Sequence, residues 1–160
     1  MALEESATTA GCELLRDFHW RNGREEEARE WHRRMAERME VEQAATQERN
    51  RLNLRDSFMP HALEEKAVAA LRRQLSGIPG LRRAYLVRKR MEHFAHLPFY
   101  VCGYAVTGPF RLHSKRRAAE VMQRIQASVE FPGETIILSV EGDNSRFGRK
   151  LRRVRGSRIV

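Results

Sequence analysis

Residues 99–106 read FYVCGYAV, an almost unbroken apolar run that predicts a β-strand. A strand that is apolar on both sides is typical of the middle of a sheet whose two faces are covered. Earlier in the chain, residues 83–90 read RAYLVRKR, in which Ala84 and Leu86 would face one side of such a sheet. These two stretches predict two neighbouring strands at the centre of the fold.

Helical patterns flank the two predicted strands. Residues 63–75 carry Leu or Ala at every fourth position, and residues 115–129 carry an apolar stripe that Ser114 can cap. Residues 135–140 then predict a third strand. The order is α-β-β-α-β-α, which predicts a small α+β domain with a mixed three-stranded sheet and helices over at least one face.

The basic stretch at residues 147–160 reads FGRKLRRVRGSRIV. Phe147, Leu151 and Val154 stand at i, i+4 and i+7, on one face of a helix whose remaining positions are mainly basic. The pattern predicts an ordered amphipathic helix, followed by a short docking segment at the last two residues. A disordered basic tail is the alternative.

The N-terminal part predicts a helical hairpin. A first helix would end at Gly23, which can adopt the left-handed conformation beyond a helix end. Its apolar residues at helical spacing are Leu14, Leu15 and Phe18. The second helix carries the apolar stripe Ala28, Trp31, Met35 and Met39. Polar residues follow, so we expect the helical hairpin at 1–54 and the α+β domain at 55–160.

Charge divides the chain unevenly. Of the net +9, residues 1–56 contribute −3, from ten Arg and thirteen acidic residues, and residues 57–160 contribute +12, from twenty basic and eight acidic residues. A field of this kind attracts anionic partners, nucleic acid among them. The candidate anion-binding residues are Arg82, Arg83, Arg88, Lys89, Arg90, Lys115, Arg116, Arg117, Arg149, Lys150, Arg152 and Arg153. Three tyrosines offer base stacking or, as the alternative, core packing: Tyr85, Tyr100 and Tyr104.

Catalytic motifs are missing from the sequence. There is no H-E-x-x-H zinc motif and no glycine-rich phosphate loop, so we expect no enzymatic activity, no metal and no cofactor. The nearest arrangement to a metal site is His93 and His96 in a predicted loop, with His113 further on, and Cys102 lies within a strand. A metal-dependent or cysteine-based hydrolase is therefore the weakest alternative.

The N-terminus reads MALEESATTA, with acidic residues where a signal peptide has basic ones, and no stretch approaches the twenty apolar residues of a membrane span. We expect a cytoplasmic protein. Cys12 and Cys102 stand far apart in the sequence and fit neither a paired-ligand nor a redox spacing.

From Asp56 onward, DSFMPHALEEKAVAALRRQLSGIPGLRRAYLVRKR, LPFYVCGYAV and the ending from FPGETIILSV resemble a C-terminal α+β region of bacterial proteins. In that family the region follows tetratricopeptide-type helices, and NGREEEAREW before it is similar to the turn and second helix of such a repeat. Longer relatives carry a metallopeptidase domain of the CAAX-prenyl-protease type. The resemblance covers the non-catalytic part, so it implies no catalytic residue.

The sequence therefore favours a non-catalytic bacterial module that binds a protein partner or itself, or that regulates another protein. Its candidate protein-interaction residues are Trp31, Met35 and Met39 on the second helix. An RNA- or DNA-binding accessory protein that uses the basic part is the first alternative.

Overall fold

The computed structural model describes residues 8–106 and 114–160 and has an α+β architecture, which confirms the predicted class. The helices are α1 (Thr9–Arg21), α2 (Glu25–Asn50), α3 (Glu65–Ser76), α4 (Lys115–Ser128) and α5 (Ser145–Arg152). The strands are β1 (Phe58–Pro60), β2 (Arg83–Lys89), β3 (Phe99–Ala105) and β4 (Thr135–Ser139). The chain divides into two compact units, a helical hairpin at Met1–Arg51 and an α+β unit at Leu52–Val160.

The helical hairpin consists of α1 and α2. Thr8 caps α1 by accepting a hydrogen bond from the backbone N–H of Gly11 at 3.2 Å. The turn between the helices passes through Gly23, whose φ of 68° suits glycine. At the other end, the Thr9 hydroxyl donates to the Glu42 carboxylate at 2.9 Å, so α2 returns alongside α1.

Salt bridges along α2 explain how a helix that is polar on nearly all sides can form. Glu30 accepts hydrogen bonds from Arg33 at 2.8 Å and from Arg34 at 2.9 Å, and Arg38 donates to Glu42 at 3.0 Å. The hydrogen bonds from Arg33 and Arg34 lower the pKa of Glu30. Pairs three or four residues apart stabilise a helix in this way, although each contributes little on an exposed surface.

The sheet of the α+β unit has the strand order β1-β2-β3-β4. Strands β2 and β3 pair antiparallel over their full length, from Arg83 opposite Ala105 to Lys89 opposite Phe99. Strand β4 lies parallel to β3, because α4 carries the chain back across the sheet between them. All seven residues of β3 are buried, as the central position predicted from its apolar sequence requires.

The sheet contains one strand more than the sequence predicts. Strand β1 pairs antiparallel with the end of β2, and it was missed because it has three residues and ends in Pro60. The start of β2 is covered on the same edge by residues 157–160, where the Ile159 amide donates to the Ala84 carbonyl at 2.9 Å. Ile159 is buried, so the predicted docking segment lies against β2.

Each face of the sheet has its own apolar core. Helices α3 and α4 cover one face, and the largest fully buried side chains of this cluster are Leu75, Leu86, Tyr104 and Ile125. Helix α5 covers the other face, where the buried cluster comprises Tyr85, Val87, Val101, Ala105, Val140 and Leu151. The predicted amphipathic helix is therefore present, but it ends at Arg152, so Val154 follows the helix and is not part of it.

Two glycines allow α5 to approach the sheet closely. A Cβ atom on Gly148 would lie 2.7 Å from the carbonyl oxygen of Val140, and one on Gly103 of β3 would lie 2.6 Å from Cδ1 of Leu151. Distances this short leave no room for a methyl group. The closest part of the contact between helix and sheet therefore depends on glycine at both positions.

Candidate interaction surfaces

The candidate anion-binding residues around β2 do not lie on a single surface. Arg82 and Arg83 stand at the beginning of the strand, whereas Arg88 and Arg90 stand at its end. Five residues of extended chain separate Arg83 from Arg88 by roughly 17 Å, and the two side chains point to opposite faces of the sheet. These arginines therefore belong to separate regions of the α+β unit.

Lys89 lies in the interior, contrary to its prediction as an anion-binding residue. Its side chain is 3% exposed, and its Nζ lies 3.1 Å from Oδ2 of Asp56, whose side chain is 15% exposed. The same Oδ2 accepts the backbone N–H of Asn53 at 2.8 Å. A buried lysine needs such a partner, since an unpaired charge in the interior is costly. Lys89 thus holds the loop before β1 and is not available to a ligand.

The basic residues at the start of α4 are exposed. Lys115 lies 3.5 Å from Asp143, and Arg116 lies 3.1 Å from Glu120, so these two charges have acidic partners. Arg117 is exposed, and its backbone N–H donates to the Ser114 hydroxyl at 3.4 Å, which confirms the predicted cap. This group is only partly neutralised, but it borders none of the hollows described below.

The basic residues of α5 come together with a loop. Arg146, Arg149, Lys150 and Arg153 line a hollow of about 320 Å³ whose apolar wall is Leu54. Arg152 is exposed but does not line this hollow. We name this hollow, lined by Arg146, Arg149, Lys150, Arg153 and Leu54, the α5 groove. It contains three of the predicted anion-binding residues together with Arg146, which was not among them.

The three tyrosines of the sheet pack in the core. Tyr85, Tyr100 and Tyr104 are each 4% exposed or less. The hydroxyl of Tyr104 donates to the Ala118 carbonyl at 2.8 Å, which ties β3 to α4. Burial raises the pKa of this hydroxyl, with a smaller contribution from Glu141. The rings are not accessible for base stacking, so the packing alternative describes them.

Cys102 and the loop histidines differ in their surroundings. Cys102 is 0% exposed in the middle of β3, and burial raises its pKa from 9.0 to about 12. His96 is exposed and stacks edge to face with Phe94 in the loop between β2 and β3. His93 is half-buried in the same loop, and His113 lies outside the described residues. Within 8–106 and 114–160, no three His, Cys, Asp or Glu side chains are placed to hold a metal ion.

The thiol of Cys102 is expected to resist alkylation in the folded protein, because a thiolate is the reactive form and the raised pKa keeps the thiol protonated at pH 8. Mass spectrometry of the peptide that contains Cys102 should show no iodoacetamide adduct without urea and complete modification in urea. Rapid modification of the folded chain near neutral pH would contradict this prediction.

The raised pKa of Cys102 also stabilises the fold below pH 9, and this contribution should be lost between pH 9.0 and about 12.

The predicted interaction residues of α2 are covered to different degrees. Trp31 is half-buried beneath the guanidinium of Arg34, which lies 4.8 Å from the ring centroid. Met35 is half-buried, and its sulfur accepts a hydrogen bond from Arg16 of α1 at 3.8 Å. Met39 is 52% exposed. Of these three side chains, Met39 alone is open to a partner over half of its surface.

An apolar surface larger than that of Met39 lies on α1, and it was not among the predicted interaction residues. Leu14 is 71% exposed, Phe18 is 55% exposed and Leu15 is 37% exposed. Trp20 is also 64% exposed. The buried residues of the two helices are Cys12 of α1 and Ala28 and Ala45 of α2. Helical spacing of apolar residues does not by itself distinguish an exposed row from a packed one.

Comparison with models of protein families, with curated proteins and with solved structures gave no significant match. None of the helices in the described part of the chain has both the length and the apolar content to cross a membrane. Two surfaces therefore remain as candidates for a function. One is the apolar row of α1, formed by Leu14, Leu15 and Phe18, and the other is the α5 groove.

Proposed function

We propose that this chain is a non-catalytic interaction module that associates with a second copy of itself through helix α1. The observation that carries the proposal is the apolar row of α1, formed by Leu14, Leu15 and Phe18, which is exposed to solvent in the single chain. A contiguous exposed apolar surface is typical of a protein interaction site. The proposed occupant of this surface is α1 of the second copy.

The spacing of the row supports contact with another helix. Gly11, Leu14, Leu15 and Phe18 stand at i, i+3, i+4 and i+7, the spacing of a face that packs along a neighbouring helix. Gly11 lies in the first turn of α1 and would let a partner backbone approach closely. A helix with this spacing buries its apolar side chains when an equivalent helix crosses it.

The charges on α1 support a second copy as the partner. Glu13 and Asp17 balance Arg16 and Arg21, so α1 has no net charge. Arg16 is already engaged, at 2.7 Å from Asp17 and 3.5 Å from Glu13. Two copies of α1 can therefore meet without repulsion between like charges. In a two-fold arrangement the same surface is used on both copies, which is the commonest form of association.

Replacing both Leu14 and Phe18 with glutamate is expected to convert a dimer into a monomer. Like charges that are brought face to face cost several kcal/mol, so the dissociation constant should rise by at least about a hundredfold. Sedimentation velocity over a range of protein concentrations measures this change. Both side chains are exposed, so the circular dichroism spectrum of the chain should be unchanged.

The matched control carries two glutamates at other exposed apolar positions, Val41 and Leu97. It changes the net charge by the same amount and should leave the dimer intact. A wild-type chain that sediments as a monomer at every concentration would contradict the proposal. So would a control that dissociates as readily as the Leu14 and Phe18 variant.

A further inference from the structure

The α5 groove presents an ordered row of positive charge. Arg146 and Arg149 belong to α5, and Arg153 directly follows it with helical backbone dihedrals. At i, i+3 and i+7 the three stand on one side of the helix over a length of about 10 Å. They form no ion pair with an acidic residue in the described part of the chain, and all three are exposed. Their charges are therefore open to an anionic ligand along one line.

The groove is held in shape by Lys150. Its Nζ donates to the Leu54 carbonyl at 2.8 Å and to the Asp56 carbonyl, and it lies 5.3 Å from the centroid of the Phe58 ring. These bonds fix the loop at residues 52–56 against α5. Lys150 is thus a positioning residue, and its charge adds to the positive field at the wall of the groove.

A second hollow adjoins the groove. It has a volume of about 670 Å³ and shares the Leu54 wall. Its other lining residues are Leu52, Asn53, Arg55, Asp56 and Phe147. Phe147 is half-buried, and the Asp56 carboxylate that borders this hollow is paired with Lys89. The hollow therefore offers an aromatic ring and two leucines. The negative charge of its Asp56 carboxylate is balanced by Lys89.

A row of cations beside an aromatic hollow matches the chemistry of single-stranded nucleic acid. Such ligands place a phosphate at every nucleotide and leave flat bases free to stack on aromatic side chains. A duplex keeps its bases paired, and an anionic lipid surface has no group that calls for a separate aromatic hollow. The net charge of +12 on residues 57–160 favours the approach of any polyanion, and the hollow favours one that carries bases.

We propose that the α5 groove and its adjoining hollow bind a single strand of nucleic acid, with phosphates on Arg146, Arg149 and Arg153 and a base against Phe147. This goes beyond the self-association proposed above, because it uses different residues in the other unit. A variant with glutamate at Leu14 and Phe18 should therefore keep its affinity for nucleic acid even where it no longer dimerises.

The first test is fluorescence anisotropy of a labelled oligo(dT) of about 12 nucleotides with the full chain. Changing Arg146, Arg149 and Arg153 to glutamine should weaken binding about tenfold or more at low salt. It should also reduce the slope of log affinity against log salt by about 2, because each contact to a single strand contributes about 0.7. The control changes three other exposed arginines to glutamine: Arg82, Arg90 and Arg117. It removes the same charge and should keep most of the affinity and the slope.

The second test separates bases from phosphates. Phe147→Leu keeps an apolar side chain but removes the ring, and it should weaken oligo(dT) binding about tenfold, whereas Phe147→Tyr should retain it. Inorganic polyphosphate, which has no bases, should bind more weakly than oligo(dT) and should not respond to Phe147→Leu. Equal loss in the two arginine variants, equal affinity for polyphosphate, or preference for anionic lipid vesicles would each overturn the proposal.

Discussion

Replacing Asp56 with alanine is expected to lower the free energy of unfolding of the α+β unit by about 3 kcal/mol, because it removes the carboxylate of a buried ion pair and leaves the buried ammonium in place. The charge left behind is that of Lys89, whose side chain is 3% exposed and whose Nζ lies 3.1 Å from Asp56. Urea unfolding followed by tyrosine fluorescence measures the change, since all three tyrosines lie in this unit.

Two further variants identify the cause of this loss. Asp143→Ala removes the acid that faces Lys115 at 3.5 Å, where both side chains are more than four-fifths exposed, and should change the stability by less than about 0.5 kcal/mol. Adding Lys89→Met to Asp56→Ala should restore much of the stability, because a buried apolar side chain replaces the buried charge. If Asp56→Ala lowers the free energy of unfolding no more than Asp143→Ala does, the ion pair between Lys89 and Asp56 does not hold the loop before β1.

Replacing Leu151 with alanine is expected to cost about 3 to 4 kcal/mol, the range for a leucine removed from a packed core that cannot collapse around the gap. Leu151 is 0% exposed and lies in the cluster that α5 forms with the sheet. The measurement is the midpoint of urea unfolding at an unchanged slope. Leu151→Met keeps the volume and should cost less than about 1.5 kcal/mol.

The contact between Leu151 and β3 can be tested with a double-mutant cycle. Gly103→Ala alone should destabilise the fold, because its new Cβ would lie 2.5 Å from Cγ1 of Val140 and 2.6 Å from Cδ1 of Leu151. In a chain that already carries Leu151→Ala, one of these two clashes is gone. The combined loss should therefore be smaller than the sum of the two single losses. Additive losses would contradict the packing described here.

Much of the sheet was predictable because its strands are apolar on both sides. The stretch at residues 99–106 fixes β3, and its burial over both faces follows from the same pattern. The apolar residues around α5 also predicted its packing, since Leu151 is buried and Val154, two residues after the helix, packs beside the same core. Phe147 differs, because it lies one turn earlier and borders the hollow beside the groove.

Features that depend on contacts between distant segments could not be predicted. Strand β1 is too short to show a period, and only its pairing with the end of β2 makes it a strand. Nothing in the run of basic residues that contains Lys89 distinguishes it from Arg88 or Arg90. Its burial depends on Asp56, which precedes it by more than thirty residues. The α5 groove likewise requires Leu54 and Arg149 to meet across almost the whole α+β unit.

The close approach at Gly148 determines the angular setting of α5. A helix turns by about 100° per residue. If a side chain at this position rotated α5 about its axis by that angle, the arginines of the helix would face away from Leu54. A Cβ on Gly148 would lie 2.7 Å from the Val140 carbonyl oxygen, so only glycine permits the present orientation. The absence of a side chain at Gly148, on the side of α5 that faces the sheet, thus determines the direction in which the arginines on the outer side of this helix point.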